Sequence, residues 1–248
     1  NTGRYIATIP EMLVGSFVGS ISGTNTSKIE INGTGAFNLG GTTIADAVAI
    51  NISTGQLVLD ASSANRSNIT TSGTGEMVYN VAEGSTNINN ATTMPTTFGK
   101  VGAGTLSLTG DQVANKNISI YQGTIELTGN NTLGFGSVKI AAGTTLNVQY
   151  FGIASNINLQ KIEGSGTLVF ENTGTISELI LNNTTMLPTS GEKYFNGDVK
   201  FVNMNLKVEN DVSMTAIGMD ENSTLNVVGG ANLSITQSAN TEFAGTVT

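Results

Sequence analysis

The chain has 248 residues, of which only 11% are charged, and its ten basic residues leave a formal net charge of −8. This balance argues against nucleic acid and against an anionic membrane surface as partners, because both bind basic faces. The sequence contains no Cys and no His, which excludes disulfides, thiol chemistry and the most common general base and metal ligand.

The N-terminal segment, residues 1–23, does not follow the pattern of the rest of the chain. Its apolar run, 6–18, is interrupted by Pro10, Glu11 and Gly15, so it is too short and too broken to cross a bilayer. It also lacks the basic start of an intact signal peptide. We expect an irregular first turn of the fold or a cap, in a chain that begins within a longer protein.

Residues 28–81 carry apolar side chains that alternate with polar ones in two families of positions. The first family consists of triplets that begin at Phe37, Leu57 and Met77, and the second family is Ile29, Ile50 and Ile69. Alternation with a period of two places the apolar side chains on one face of a strand. Both families recur at a step of about 20 residues, and a unit this short cannot bury that face alone, so copies of it must stack.

The repeat is clearest in residues 100–148, where every step within either family is about 20 residues. First-family triplets begin there at Leu106, Ile125 and Leu146, and continue at Leu168, Met186, Leu206 and Leu225. The second family continues with Ile88, Ile118, Val138, Ile157, Leu179 and Val199. The sequence therefore predicts one all-β domain over 1–248, a right-handed parallel β-helix with about 20 residues per turn.

Two polar segments with a proline, 85–98 and 182–194, interrupt the repeat. The step from Met77 to Leu106 is longer than the regular one, so we expect about nine extra residues to leave the regular turn within 85–98. Solenoids accept insertions at turns, and binding residues concentrate in such loops. The predicted binding residues, in or beside the second loop, are Glu192, Lys193, Tyr194 and Phe195.

Four Gly-x-Gly pairs precede strands of the repeat, at residues 33–35, 73–75, 102–104 and 164–166. The pattern begins like a phosphate-binding loop, but none of the four has the following Lys or opens a helix. We interpret them as tight turns at the corners of the solenoid.

Carboxylates that could form a polysaccharide-cleaving pair are sparse. Such a pair lies roughly 5–10 Å apart, a distance that acids one or two turns apart in the same position would satisfy. Glu126 is aligned with Ser107 and Asn147, neither of which is an acid. The other candidates lie at turns, in the pairs Glu209/Asp211 and Asp220/Glu221. We therefore predict no catalytic residue, no metal site and no cofactor.

The segment KVGAGTLSLTG, residues 100–110, together with the two strands that follow, resembles the repeat of classical autotransporter passenger domains, the type V secreted proteins of Gram-negative bacteria. The matching residues are Lys100, Gly102, Gly104, Thr105, Leu106, Leu108, Gly110, Gly123, Ile125, Leu127, Gly143, Leu146 and Val148. The clear match covers about a fifth of the chain. The resemblance implies an exported segment at the bacterial cell surface, held in the outer membrane by a C-terminal barrel that lies outside this sequence.

The expected function is that of a stalk or adhesin segment that mediates attachment or holds a binding part away from the cell. Its expected partner is a protein or glycan of a host or neighbouring cell, without nucleic acid and without insertion of this segment into a membrane. Two alternatives stay open: a self-associating surface-layer or toxin-like passenger, and a polysaccharide-degrading enzyme. A flat self-complementary face would favour assembly, and an acidic cluster in a groove would favour the enzyme.

Overall fold

In a computed structural model of the chain, the described residues are 4–7, 15–16, 19–64, 68–88, 94–109, 113, 115–128, 136–150, 162–172, 179–181, 197–209, 211–214, 217–235 and 242–248. No helix among them is long and apolar enough to cross a membrane.

The described part of the chain is built from short strands. The strands of the first half are β1 Arg4–Ala7, β2 Gly15–Ser16, β3 Ser20–Ile21, β4 Lys28–Ile31, β5 Ala36–Asn38, β6 Thr43–Ile44, β7 Ala49–Ile52, β8 Gln56–Asp60, β9 Ile69–Thr71, β10 Glu76–Asn80, β11 Ser85–Asn87, β12 Thr97–Val101, β13 Thr105–Thr109 and β14 Asn117–Ile120. Those of the second half are β15 Thr124–Thr128, β16 Ser137–Ile140, β17 Thr145–Tyr150, β18 Ile162–Gly164, β19 Thr167–Asn172, β20 Leu179–Leu181, β21 Asp198–Val202, β22 Asn205–Val208, β23 Val212–Met214, β24 Gly218–Met219, β25 Thr224–Val227, β26 Leu233–Ile235 and β27 Thr246–Val247.

The strands pair in parallel and form four larger sheets. Sheet A has the order β1-β4-β7-β9, and sheet B the order β18-β16-β14-β12-β10-β8-β5-β2. Sheet C has the order β11-β13-β15-β17-β19-β21-β24, and sheet D the order β20-β22-β25-β27. Two smaller pairs are β3-β6 and β23-β26. From β12 to β19, strands of sheets B and C alternate along the chain, so each turn adds one strand to each wall.

Residues that pair between neighbouring strands are one repeat step apart in the chain, as in Leu57 with Met77 and Ile118 with Val138. The predicted parallel β-helix, with its turn of about 20 residues, is therefore confirmed. The eight strands of sheet B mark eight successive turns. Neighbouring strands are ~4.8 Å apart, so each turn advances the wall by that distance.

The interior contains columns of stacked apolar side chains. In sheet C, Leu106 pairs with Ile125, Ile125 with Leu146 and Leu146 with Leu168, and all four are at most 1% exposed. This column was predicted and is confirmed. It continues to Val199, which the sequence analysis assigned to the other family of positions. Alternation explains the column, since the polar residues between these positions face outward.

The register predicted between Met77 and Leu106 is wrong. Met77 pairs with Phe98, one regular step further along the chain, and Leu106 pairs with Thr86. No extra residues are inserted, because the turn between them contributes two complete strands, β11 and β12. The sequence Ser85-Thr-Asn87 has no apolar alternation, so the hydrophobic pattern did not reveal β11.

The predicted loop 85–98 must therefore be corrected at both ends. Ser85–Asn87 pairs with β13, and Thr97–Val101 joins β10 to β14, with Phe98 fully buried. The intervening residues 89–93 are outside the described part of the chain, and so is the second predicted loop, 182–194.

The first-family assignment beyond Leu168 also needs correction. Leu206 pairs in register with Leu179 and with Leu225 in sheet D, so neither Leu206 nor Leu225 belongs to the column of sheet C. Because every turn has more than two walls, a pattern with two families could not tell which wall a triplet joins.

The N-terminal segment 1–23 contributes three strands, each paired in parallel with the following turn. Arg4 pairs with Lys28, Gly15 with Phe37 and Ser20 with Thr43. All three steps are slightly longer than the regular step of about 20 residues, so the described parts of the segment form a longer first turn.

Glycines are required at the corners that follow sheet B. Gly102 has a φ of 83°, and a Cβ there would lie 2.3 Å from the carbonyl oxygen of Val81. Gly164 has a φ of 113°, with a Cβ position 2.1 Å from the carbonyl oxygen of Ile140. Both contacts are with the backbone of the preceding turn, so any side chain would push two turns apart.

Candidate functional site

The predicted binding residues Glu192, Lys193, Tyr194 and Phe195 lie outside the described residues, and their role stays a prediction. The candidate site is therefore built from polar side chains that described strands hold on the outer walls.

One outward column runs along sheet C. Ser107 pairs with Glu126, Glu126 with Asn147, Asn147 with Val169 and Val169 with Lys200. The predicted alignment of Glu126 with Ser107 and Asn147 is thus confirmed. These residues alternate with the buried column of the same strands, so they face away from the core.

A second outward column lies two positions further along the same strands. It contains Gln149 and Glu171, which are partners in register. Neither residue was predicted, because a comparison of residues in one repeat position does not include its neighbours two positions along the strand. Alternation along β17 places Gln149 on the same face as Asn147, and this signal was available. We call Ser107, Glu126, Asn147, Gln149 and Glu171 the C-face strip.

Hydrogen bonds join the C-face strip across four successive strands. The Ser107 hydroxyl donates to Glu126 Oε2 at 3.0 Å. The Gln149 amide donates to Glu126 Oε1 at 3.0 Å and to Glu171 Oε2 at 3.2 Å. The Asn147 amide donates to Glu171 Oε2 at 3.2 Å, while its own Oδ1 is buried without a partner in the described part of the chain. These shared bonds hold two carboxylates in fixed positions on the wall.

Next to the strip, sheet C carries a groove of about 500 Å³, which we call the C-face groove. Four carboxylates, one lysine and one amide contribute to its lining: Asp198, Lys200, Asp220, Glu221, Asn222 and Glu242. Lys200 pairs in register with Gly218, and a Cβ on Gly218 would lie 3.5 Å from Cγ of Lys200. The lysine stem therefore lies beside the space that the glycine leaves open, in an otherwise acidic groove.

Asp220 is held by hydrogen bonds within the groove wall. Its Oδ1 accepts from the backbone N–H of Asn203 at 2.9 Å and from the Ser223 hydroxyl, and its Oδ2 accepts from the Asn222 amide at 3.4 Å. Desolvation alone would raise the pKa of Asp220, but these hydrogen bonds together lower it below its usual value. Asp220 is thus an ionised acceptor at neutral pH.

Glu209 and Asp211, which were also singled out from the sequence, have close partners. Glu209 forms an ion pair with Lys207, with 2.8 Å between Oε1 and Nζ. Asp211 Oδ1 accepts from the backbone and the side-chain amide of Asn232 at 2.8 and 3.0 Å. Both carboxylates therefore serve contacts between or within turns.

Within the described ranges, no group of three or more His, Cys, Asp or Glu side chains is arranged to hold a metal ion. In comparisons with known proteins, no family model, no curated protein and no solved structure matched this chain.

Proposed function

We propose that this chain is a rigid, surface-exposed segment of an exported adhesin-like protein and that it attaches to glycans through the C-face strip. The single observation that carries the proposal is the strip itself, a hydrogen-bonded row of hydroxyl, amide and carboxylate groups on four successive strands of one wall. The resemblance of residues 100–148 to autotransporter passengers supports export and surface display.

The regular spacing of the turns suits the wall to a chain of sugars. Polar groups recur about every 4.8 Å along the wall, and they alternate between donors and acceptors of the kind that sugar hydroxyls use. Each carboxylate is already oriented by amide donors, so little side-chain entropy is lost on binding. A stacked core keeps the row straight, because every turn contacts its neighbours along each wall.

A binding assay with matched variants tests the proposal. The chain would be immobilised on beads, and retention of cell-surface glycans would be measured for the wild type and for Glu126→Gln/Glu171→Gln. Each lost charge-assisted hydrogen bond is worth about 1.5–3 kcal/mol, so we expect binding to fall at least about tenfold. Glu83→Gln is the control, since Glu83 is exposed at the turn after β10. Equal retention by all three proteins would refute the proposal.

A second candidate, a polysaccharide-cleaving enzyme, is favoured by the acidic C-face groove. Glycoside cleavage needs one carboxylic acid with a raised pKa and one ionised carboxylate. Asp220 fits only the second role, because its hydrogen bonds lower its pKa. The groove therefore makes enzymatic activity the runner-up to glycan attachment.

A further inference from the structure

A buried carboxylate lies on the outer wall of sheet B, away from the C-face strip. Glu76, the first residue of β10, is 5% exposed. Gln56 is its partner in register on β8. Tyr121 follows β14 and is 41% exposed, and its ring lies over Gly99 of β12, where a Cβ would be 2.7 Å from Cε2. Gly99 thus provides a flat floor for the ring. We call Gln56, Glu76, Gly99 and Tyr121 the B-face slot.

Hydrogen-bond donors in the B-face slot converge on one oxygen of the carboxylate. The Tyr121 hydroxyl donates to Glu76 Oε2 at 2.7 Å, and the Gln56 amide donates to the same oxygen at 2.6 Å. The Gln56 amide also donates to the Tyr121 hydroxyl oxygen at 3.0 Å.

The other oxygen, Glu76 Oε1, is buried with no hydrogen-bond partner in the described part of the chain. It faces the floor, 2.8 Å from the position that a Cβ on Gly99 would take. A buried carboxylate oxygen without a donor is costly. Tyr121 cannot supply a second donor, because its hydroxyl has a single proton and that proton already points to Oε2.

We propose that the B-face slot is a saccharide subsite that binds a vicinal diol, with Tyr121 as its lid. Two hydroxyls on neighbouring carbons donate one hydrogen bond to each oxygen of Glu76, which satisfies the oxygen that the closed slot leaves unpaired. The sugar ring takes the place above Gly99 and packs against the displaced Tyr121 ring. This subsite rests on the proposed function, since it names a glycan as the ligand, but it lies on a different wall.

Tyr121 is suited to be the lid because it lies beyond the end of β14 and is only partly covered. Burial, followed by the hydrogen bond and the charge of Glu76, raises the pKa of Tyr121 to about 12. The hydroxyl therefore keeps its proton at neutral pH and holds the slot closed by donating to Oε2 and by accepting from the Gln56 amide. A ligand that offers two donors competes with the one hydrogen bond that the hydroxyl donates to Glu76.

Titration with a simple glycoside tests the subsite. The probe is methyl α-D-mannopyranoside, which has a cis pair of hydroxyls at carbons 2 and 3 and a trans pair at carbons 3 and 4. The control ligand is its 2,3-di-O-methyl ether. Methylation at these two oxygens blocks the cis pair and also removes the trans pair, so no vicinal diol is left. Binding would be followed by NMR shifts of the Gly99 and Tyr121 amides in the full chain. We expect shifts with the glycoside and none with the ether.

Two variants are expected to change the affinity in opposite directions. Glu76→Gln removes the paired acceptors and should weaken binding by about tenfold or more. Tyr121→Phe keeps the ring but removes the competing hydroxyl, and should tighten binding by about threefold to tenfold. Glu83→Gln should bind like the wild type. If Glu76→Gln does not fold, the direction of the Tyr121→Phe change still tests the lid.

Absence of shifts, equal binding of the ether, or no gain from Tyr121→Phe would overturn the subsite. Those results would leave glycan retention through the C-face strip unaffected, because Glu126 and Glu171 are unchanged in these variants. If Glu126→Gln/Glu171→Gln retains glycans as well as the wild type, while the glycoside still binds in the slot, only the C-face strip is overturned as the attachment surface.

Discussion

Lys100 is a charged residue in an inward column. It pairs with Tyr79 and Ile120, and none of its surface is exposed. Its amine donates to the carbonyl oxygens of Val101 and Gly102 at 3.1 and 2.5 Å. A Cβ on Gly123 would lie 2.5 Å from this amine, so the glycine leaves room for it. Lys100 therefore binds the carbonyls of a corner, and this requires glycine in the next turn.

Burial lowers the pKa of Lys100 to about 8, and this predicts a pH dependence of stability. Below that pH the amine is charged in both the folded and the unfolded state, and the full cost of burying the charge is present. Between about 8 and 10.5 the unfolded chain binds more protons than the folded chain, so the free energy of unfolding rises with pH. Urea unfolding at pH 7 and pH 9.5 measures the rise.

Lys100→Met is the matched control for that rise, because it keeps a long side chain in the column without a titrating group. We expect the difference in stability between the two pH values to be more positive in the wild type than in the variant. The same pH dependence in both proteins would show that Lys100 is not the group responsible.

Leu146 lies in the middle of the confirmed core column and is fully buried. Leu146→Ala should lower the free energy of unfolding by roughly 2–5 kcal/mol, because it removes buried methyl groups and leaves a cavity. Lys139→Ala, an exposed outward position on β16, should change it by less than about 0.5 kcal/mol. Denaturant titration of both variants measures the contrast, and equal effects would contradict the column.

At the scale of elements, β11 and β12 decide how the two halves of the solenoid join. β12 pairs with β10 and β14 in sheet B, and β11 begins sheet C by pairing with β13. Phe98 of β12 packs edge to face with Tyr79 of β10, with ring centroids 5.8 Å apart. The pairing between turns is therefore regular here, although the sequence Ser85–Asn87 lacks the apolar alternation of the other turns.

A disulfide tests this register directly, since the chain has no cysteine of its own. Ser85 and Thr105 are partners on neighbouring strands, so their Cα atoms are ~4.8 Å apart, within the range that a disulfide spans. Ser85→Cys/Thr105→Cys should form an intramolecular disulfide under mild oxidation, detected by mass spectrometry. Thr124 pairs with Thr105 one turn further away, so Ser85→Cys/Thr124→Cys should stay reduced. Failure of the first pair would restore the loop predicted from the sequence.

At the scale of the whole molecule, the walls carry different chemistry. The wall of sheet C has the strip and the acidic groove, and the wall of sheet B has a buried carboxylate under a tyrosine. The interior is continuous, with Phe170 and Phe201 stacked at 5.5 Å between centroids. Function is therefore expected to depend on which outer wall is changed, and stability on the interior.

The whole chain is expected to have no activity on polysaccharides. Asp220 in the C-face groove has a lowered pKa, so its carboxyl group is not a ready acid for a leaving group. Chromatography of bacterial and host polysaccharides after incubation should show no new products. Products that disappear with Glu221→Gln or Glu242→Gln in the groove would establish the enzyme instead.

The sequence alone determined the architecture, because alternation and a regular step between turns are local and repeated. Leu106, Ile125, Leu146 and Leu168 could be placed in one column for that reason. It could not determine how the turn between Met77 and Leu106 pairs, since Ser85–Asn87 is polar and Lys100 takes an inward position that hydrophobic patterns leave out. The B-face slot could not be predicted from the sequence either. Gln56, Glu76, Gly99 and Tyr121 are far apart in the chain, and only the stacking of four turns brings a lone carboxylate, a glycine floor and a tyrosine together.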